Sequence, residues 1–238
     1  MRWVAFQDFI RVFEHSEKVF TNIAVIGGGP NDPEIDWLIN RQPQIDIRYF
    51  GISEIEGQNF TYYDFNLSNK ETGSQKFDIV HCAQVFEHLW DIKQALINLS
   101  NLVSDDGLIW INCPASCRAH GSPDYFSAGY QPQLIANLGN LLGLEVVEAY
   151  SIGSRRAYFY EHSLGRWPDQ NEHDHPLLSM SAGQGGKFRS VLRWIKYFPE
   201  RVLASFFSGK ILNSPDFSTQ TVVVLRRSAG ANRETIPD

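Results

Sequence analysis

The fold is decided by residues 77–114, which read FDIVHCAQVFEHLWDIKQALINLSNLVSDDGLIWINCP. Residues 77–83 form a short apolar run that is typical of a buried strand. Over residues 90–103, apolar side chains recur every three or four positions, as they do on one face of a helix. The sequence SDDG at 104–107 predicts a turn, and LIWIN at 108–112 predicts a second strand. The stretch therefore predicts a strand, a helix and another strand.

Strands and helices continue to alternate on both sides of this unit. Residues 22–26 (NIAVI) predict a buried strand that stops at three consecutive glycines. Asn31 or Asp32 is placed to cap the helix that follows, with Pro33 in its first turn. Further helices are predicted over residues 3–13 and 133–143, and further strands over residues 45–52, 60–65, 144–150 and 221–226. Because helices separate most of the strands, the fold class is α/β with a mostly parallel sheet.

Composition and charge narrow the class of protein. The chain has 238 residues, of which 43% are hydrophobic and 20% charged, as in ordinary globular proteins. A formal charge of −6 argues against nucleic acid as a partner, because phosphate backbones are repelled. The 3 cysteines include no CxxC pair, which favours reduced thiols over a disulfide framework or a zinc site.

Neither export nor membrane insertion is expected from the sequence. The first turns of the chain carry Arg2, Asp8, Arg11 and Glu14, where a signal peptide needs an unbroken apolar stretch. No window of about 18 uncharged apolar residues occurs, so no transmembrane segment is predicted. We therefore expect a cytoplasmic protein.

Residues 77–114 resemble the class I S-adenosylmethionine-dependent methyltransferases. In that family, a strand beginning Phe-Asp leads to a Glu-His segment, a helix, a turn ending in Gly and a strand ending near Pro. The matching residues here are Phe77, Asp78, Glu87, His88, Gly107 and Pro114. The resemblance extends over about residues 22–151 and implies a Rossmann-like sheet of seven strands. Six strands would be parallel and the last antiparallel, with helices on both faces.

The resemblance also implies S-adenosylmethionine as the cofactor, lying across the carboxyl ends of the first four strands. Gly27 and Gly29 would border its methionine part, with Gly28 between them in the same ligand-binding loop. Asp64 would face the adenine amino group. The other side of the adenine would be lined by Ala83 and Gln84.

This sequence departs from the family pattern at acids that are usually found near the cofactor. Val25 stands where an Asp or Glu is common, and Asn31 replaces a frequent third glycine. Ser53 aligns with the carboxylate that usually holds the ribose hydroxyls, while Glu54 follows it and could reach the ribose if the loop bends. Without that contact, the cofactor would bind more weakly.

Methyl transfer requires the protein to align the acceptor and to remove its proton. His120, in the loop after the fifth strand, is the candidate base, and Asp124, Tyr125 and Tyr130 in the same loop are candidate acceptor contacts. The alternative is a surface turn at His120 with the aromatic side chains packed as a lid. His88 is a further candidate acceptor contact, although its place in the family pattern favours a structural role at the start of a helix.

Residues 153–219 form an insertion before the last strand, within a single domain of residues 1–238, and we expect it to be an acceptor-side lid. The histidines at 162, 173 and 175 fit a solvated polar loop better than a metal site, so no metal is predicted. Residues 187–210 fit a packing helix broken by Pro199, a cover over the acceptor pocket, or an amphipathic helix in peripheral contact with a membrane.

Three functions are consistent with these patterns. The first is a methyltransferase that acts on a small molecule or glycan, with oxygen as the acceptor atom. The second is a non-catalytic protein of the same fold that binds or regulates a partner, which Val25 and Ser53 support. The third is a nicotinamide-dependent oxidoreductase, but its fingerprint needs a further glycine and leaves residues 77–114 unexplained. The oligomeric state is left open.

Overall fold

The computed structural model describes residues 2–14, 16, 18–68, 75–117, 123–153 and 219–227. The helices are α1 (Arg2–Glu14), α2 (Pro33–Arg41), α3 (Ile92–Leu102) and α4 (Pro132–Leu141), with a short 3-10 helix at Phe86–His88. The strands are β1 (Asn22–Ile26), β2 (Asp46–Gly51), β3 (Phe60–Tyr62), β4 (Phe77–Ala83), β5 (Val103–Pro114), β6 (Leu144–Ile152) and β7 (Gln220–Arg227).

The strands form one 7-stranded sheet in the order β3-β2-β1-β4-β5-β7-β6. The pairs from β3 to β5 are all parallel. Strand β7 lies between β5 and β6 and runs antiparallel to both. The expected Rossmann-like α/β sheet with an antiparallel last strand is therefore confirmed.

Side chains that alternate along the central strands supply two separate cores. Ala24 and Ile26 of β1 belong to the core that is covered by α3 and α4. Ile23 and Val25 of the same strand belong to the core that is covered by α1 and α2. Because both faces of the sheet are buried, the strands read as continuous apolar runs, which is why β1 and β4 have the bounds predicted from sequence.

A polar cluster joins helix α1 to β6, the strand at one end of the sheet order. The hydroxyl of Tyr150, on β6, donates to Asp8 at 2.7 Å from Oδ2. Arg11 binds the carboxylate of Glu148 on the same strand, and its guanidinium lies 5.2 Å from the centre of the Tyr150 ring. These contacts join α1 to a strand that lies about 140 residues away in sequence.

The predicted turn at residues 104–107 is wrong in detail, because these residues belong to the start of β5. Val103 pairs with Phe77, and Leu108 pairs with Ile79, so four residues of β5 bulge opposite the single residue Asp78. Asp106 has a φ of +59° in this bulge. At Gly107 an added Cβ would lie 2.9 Å from the carbonyl oxygen of Phe77, which explains the glycine.

Two other sequence expectations need adjustment. Strand β3 ends at Tyr62, three residues earlier than predicted, because the chain turns around Asp64 and Leu67. Asp32 is at the N-cap of α2 without a side-chain capping hydrogen bond, and its carboxylate accepts the N–H of Gly29 in the preceding loop. Most of the predicted insertion, residues 154–218, lies outside the described residues.

We expect the two cores to dominate stability, which a pair of leucines can test. Leu99 of α3 is fully buried, whereas Leu141 of α4 is 76% exposed. Leu99→Ala should lower the free energy of unfolding by about 2–5 kcal/mol, because it removes buried methyl groups and leaves a cavity. Leu141→Ala, the matched control, should change it by less than about 0.5 kcal/mol. Urea unfolding measures both, and equal effects would contradict the assigned cores.

Candidate functional site

The chain leaves β1 through a glycine loop at the carboxyl edge of the parallel strands. Gly27 has a φ of +63°, a conformation that favours glycine. Its N–H donates to the carbonyl of Phe50 at 2.8 Å, which extends the pairing of β1 with β2. A Cβ on Gly27 would lie 2.7 Å from Cγ2 of Val85, which follows β4. The loop is therefore held tightly between the ends of β2 and β4.

Gly28 and Gly29 differ in what surrounds them. A Cβ on Gly28 would lie 2.4 Å from Oδ2 of Asp32 and 2.9 Å from Cγ1 of Val25. A Cβ on Gly29 would meet nothing within 4 Å. The N–H of Gly29 donates to Oδ2 of Asp32 at 2.9 Å, and the N–H of Asp32 donates back to the Gly29 carbonyl at 3.1 Å. The loop is thus packed on the Gly28 side and open at Gly29.

Because Gly27 and Gly29 have different surroundings, we expect alanine substitutions at the two positions to lower the free energy of unfolding by different amounts. Gly27→Ala should lower the free energy of unfolding by about 1–3 kcal/mol, because alanine is strained at this φ and would clash with Val85. Gly29→Ala serves as the matched control and should change the stability by less than about 0.5 kcal/mol. Thermal or urea unfolding of both variants checks this, and a larger loss in Gly29→Ala would contradict the described loop.

The polar residues assigned to the cofactor, two acids and a serine, follow β2 and β3 at the same edge. Ser53 and Glu54 are exposed in the segment that leaves β2. Asp64 is partly buried just beyond β3, and its Oδ1 accepts the N–H of Asn66 at 2.9 Å. The structure therefore brings the three residues to the edge where the glycine loop lies. Their roles as cofactor ligands stay predictions.

Three amide side chains meet where β4, β5 and β7 converge. Gln84, which follows Ala83 at the end of β4, has a φ of +56°, unusual for a residue other than glycine. Its Nε2 donates to Oδ1 of Asn112 and to Oε1 of Gln220, both at 2.7 Å. The amide of Gln84 is therefore directed towards β5 and β7, a role that its predicted place beside the adenine did not include.

Neither Asn112 nor Gln220 is predicted from the sequence to be a site residue. Asn112 is 1% exposed and Gln220 2% exposed, so both polar groups are held inside the protein. An Asn in the apolar run LIWIN was the available signal, since a buried amide needs partners. Gln220 gave no such signal, because its contacts depend on where β7 enters the sheet.

Glu87 is a buried acid beside the end of β4. Its side chain is 0% exposed, and neither carboxylate oxygen has a hydrogen-bond partner among the described residues. Nε2 of His88 lies 4.0 Å from its Oε1. Burial raises the pKa of this carboxyl to about 7. Burial also raises the thiol pKa values of Cys82 and Cys113, and the Glu87 charge adds to both shifts.

The raised pKa of Glu87 makes a prediction about stability and pH. The folded state holds this proton more tightly than the unfolded chain, so the contribution to stability is complete below a pH of about 4.5 and is lost as the pH rises through about 7. The wild type should therefore lose stability between pH 5 and pH 8, whereas Glu87→Gln should not. The free energy of unfolding of Glu87→Gln, measured relative to that of the wild type, should rise by about 2 kcal/mol over this range.

Urea unfolding at several pH values measures this difference. Glu56→Gln changes an exposed carboxylate and is the control, for which we expect no such trend. A Glu87→Gln variant whose stability runs parallel to that of the wild type from pH 5 to 8 would rule out a buried, titrating carboxyl.

Glu87 and His88 form hydrogen bonds with the loop that follows β5. The carbonyl oxygen of Glu87 accepts the N–H groups of Phe126 at 2.8 Å and Ser127 at 3.3 Å. Nδ1 of His88 donates to the carbonyl oxygen of Asp124. The His88 ring also contacts Tyr125, with 6.3 Å between ring centres. One ring nitrogen of His88 thus bonds to the backbone of the loop, a geometry that fits a structural role.

The stem of the same loop is fixed by further hydrogen bonds. The hydroxyl of Tyr125 donates to the carbonyl of Cys117 at 3.2 Å, and the N–H of Tyr130 donates to the carbonyl of Pro114 at 2.8 Å. Asp124, the other predicted acceptor contact in this loop, is exposed. His120, the predicted base, lies outside the described residues, so only the stem that carries it is placed.

The described residues contain neither a metal-binding cluster nor a membrane-crossing helix. No group of three or more His, Cys, Asp or Glu residues there could hold a metal ion. Among the same residues, no helix is long and apolar enough to cross a membrane.

The sheet order and its loops can be compared with those of known proteins. The sequence matches no protein-family model and no curated protein. A methyltransferase structure from Archaeoglobus fulgidus, described as SAM dependent, superposes with a TM-score of 0.54 over 95% of each chain, at 16% identity. The chain has the class I methyltransferase fold.

Two further structures with this methyltransferase fold are named for different reactions. An O-methyltransferase of a multienzyme from Brevibacillus brevis, in complex with S-adenosyl-L-homocysteine, has a TM-score of 0.54 at 11% identity, over 94% of this chain and 72% of that one. The cyclase SpnF has a TM-score of 0.56 at 12% identity, over 96% and 82% of the chains. The methyltransferase fold therefore includes proteins that are named for other reactions.

Proposed function

We propose that the chain is an S-adenosylmethionine-dependent methyltransferase that acts on an oxygen atom of a small molecule or glycan. The observation that carries the proposal is the glycine loop at the carboxyl edge of β1, in a sheet whose antiparallel β7 lies between β5 and β6. In open α/β sheets, ligands bind in the crevice at this edge. The O-methyltransferase named above, which shares the fold, was solved with S-adenosyl-L-homocysteine.

The described residues fit the proposed cofactor. The open space at Gly29 leaves room for a ligand to approach the backbone, whereas Gly27 and Gly28 are packed against the protein. Glu54 and Asp64 offer carboxylate oxygens at the same edge, which suit hydroxyl and amino groups. When bound, the cofactor supplies a methyl group on a sulfonium that is already activated for transfer.

The remaining tasks fall to the side chains near β4 and β5. The hydrogen bonds from Glu87 and His88 to the loop at residues 123–130 hold the stem that carries the proposed base, His120. Tyr125 and Tyr130 lie on this stem as proposed acceptor contacts. The neutral amides of Gln84, Asn112 and Gln220 bond to one another at the neighbouring strand ends and fix the end of β4 beside this stem. We expect the protein to act in the cytoplasm.

A non-catalytic binding protein is the second candidate, and two observations favour it. Val25 is a fully buried apolar residue at a position where the family often has an acid. Ser53, which is exposed in the segment that leaves β2, stands where the family usually has the carboxylate that holds the ribose hydroxyls. Tight binding of cofactor without transfer to any acceptor would support this candidate.

The nicotinamide-dependent alternative is less well supported. Dinucleotide-binding sheets are mostly parallel with the usual strand order 3-2-1-4-5-6, whereas here β7 lies between β5 and β6 and is antiparallel to both. In addition, the N–H of Gly29 is taken by the Asp32 carboxylate, which disfavours a pyrophosphate at the same place.

Titration calorimetry with S-adenosylmethionine and S-adenosylhomocysteine tests the proposal. The wild type should bind with micromolar affinity, on the order of −8 kcal/mol. Asp64→Ala and Glu54→Ala should each weaken binding about tenfold, because each removes a charged hydrogen-bond acceptor. Asp46→Ala changes an exposed acid at the opposite end of β2 and should leave the affinity unchanged.

The outcomes separate the candidates. Binding that either site variant weakens supports the cofactor site and justifies a screen of hydroxylated small molecules and glycans for transfer of a labelled methyl group. No binding of either ligand to the wild type would overturn the methyltransferase proposal.

A further inference from the structure

Gln84 holds a backbone conformation that is unfavourable for a residue with a side chain. Its φ of +56° lies in the left-handed region, which glycine adopts readily and glutamine does not. The residue directly follows Ala83, at the end of β4, and precedes Val85, which stands at the N-cap of the 3-10 helix. The chain changes direction at Gln84, so the position of Val85 depends on this conformation.

The side chain of Gln84 is anchored to β5 and β7. Its Nε2 donates to Oδ1 of Asn112 and to Oε1 of Gln220, so both N–H groups of the amide are used. The backbone N–H of Gln84 also donates to the carbonyl of Asn112 at 2.7 Å. Both partners are buried, and Asn112 donates in turn to the carbonyl of Thr221 at 3.2 Å. These bonds offset the unfavourable backbone conformation of Gln84.

Val85 connects the end of β4 to the glycine loop. Its side chain lies against Gly27, because a Cβ added to that glycine would be 2.7 Å from Cγ2 of Val85. If the backbone of Gln84 relaxed to a negative φ, Val85 would move away from Gly27 and leave one side of the loop unsupported. A loop that must become ordered during binding lowers the affinity for its ligand.

We propose that Asn112 and Gln220 are positioning residues, which keep Gln84 in its left-handed conformation and so hold Val85 against the glycine loop for cofactor binding. This inference rests on the proposed function, since it assumes that the cofactor binds at this loop. Asn112 and Gln220 belong to β5 and β7, outside the four strands across which the cofactor is expected to lie. Gln84 acts through its backbone, and its side chain serves as the anchor.

Two substitutions at residue 84 of the full chain distinguish positioning from direct contact. Gln84→Gly removes the anchor, but glycine adopts this φ without strain, whereas Gln84→Ala removes the anchor and leaves the strain. We expect Gln84→Ala to bind S-adenosylhomocysteine about tenfold more weakly than Gln84→Gly does, as measured by titration calorimetry. If the Gln84 amide instead contacts the cofactor, both variants lose that contact and bind equally weakly.

A double-mutant cycle measures the coupling between Gln220 and Gln84. Gln220→Met keeps the length of the side chain but lacks the oxygen that accepts the Gln84 amide. It should weaken binding of S-adenosylhomocysteine about fivefold in the wild type, and less than about twofold when added to Gln84→Gly, which has no side chain to anchor. Gln42→Met is the matched control, because Oε1 of Gln42 accepts the N–H of Phe20 at 3.1 Å, just before β1 at the opposite edge of the sheet. We expect this variant to bind like the wild type.

Hydrogen exchange at Gly27 tests the same route without ligand. The N–H of Gly27 is bonded to the carbonyl of Phe50 in the folded loop. Measured by NMR, this amide hydrogen should exchange about tenfold faster in Gln84→Ala than in Gln84→Gly, because Val85 no longer supports the loop. Urea unfolding of each variant measures its effect on global stability separately.

Several results would each overturn the inference. If the wild type binds but Gln84→Ala and Gln84→Gly have equal affinities or equal Gly27 exchange, the backbone of residue 84 does not position the loop, and the proposed function stands. If Gln220→Met lowers the free energy of unfolding but binds S-adenosylhomocysteine like the wild type, Gln220 contributes to stability alone. If the wild type binds neither S-adenosylmethionine nor S-adenosylhomocysteine, the proposed function fails and this inference fails with it.

Discussion

The need to bury both faces of the sheet is the constraint on which the rest of the structure depends. Each central strand sends alternate side chains into two cores, so helices must cover both sides. Strand β7 extends this pattern to the last part of the described chain, because Val222, Val223, Val224 and Leu225 are all buried. With the sides occupied by helices, the edge at which the parallel strands end is left for loops and ligands.

The sequence predicted the elements that this constraint defines most sharply. Strands β1 and β4 are apolar along their length and end at residues that change the backbone direction, Gly27 and Gln84. The start of β5 was not predictable in the same way. The letters SDDG indicate a turn, and only the pairing of Val103 with Phe77 shows that these residues remain within the sheet as a bulge. The local sequence does not indicate that Phe77 pairs with the start of β5.

The candidate site shows the same division between local and distant information. The glycine triplet and the Glu-His segment are short patterns, and both lie at the expected edge. The contacts of Gln84 depend on Gln220, more than 130 residues away, which no local pattern could indicate. Asp32 was recognised as a helix cap because its neighbours suggest one. Its bond to Gly29 forms in a loop that begins with the left-handed turn at Gly27, and the sequence around Asp32 does not indicate that bond.

The two outer strands of the described sheet have a consequence for the behaviour of the protein in concentrated solution. Strand β3 is only 3 residues long, and β6 has an irregular register between Val146 and Glu148 with acidic side chains at Glu145 and Glu148. Short, bulged or charged outer strands are poor templates for adding the strand of another molecule. The sheet thus carries its own protection against growth into aggregates, at the two places where an open sheet is most exposed to it.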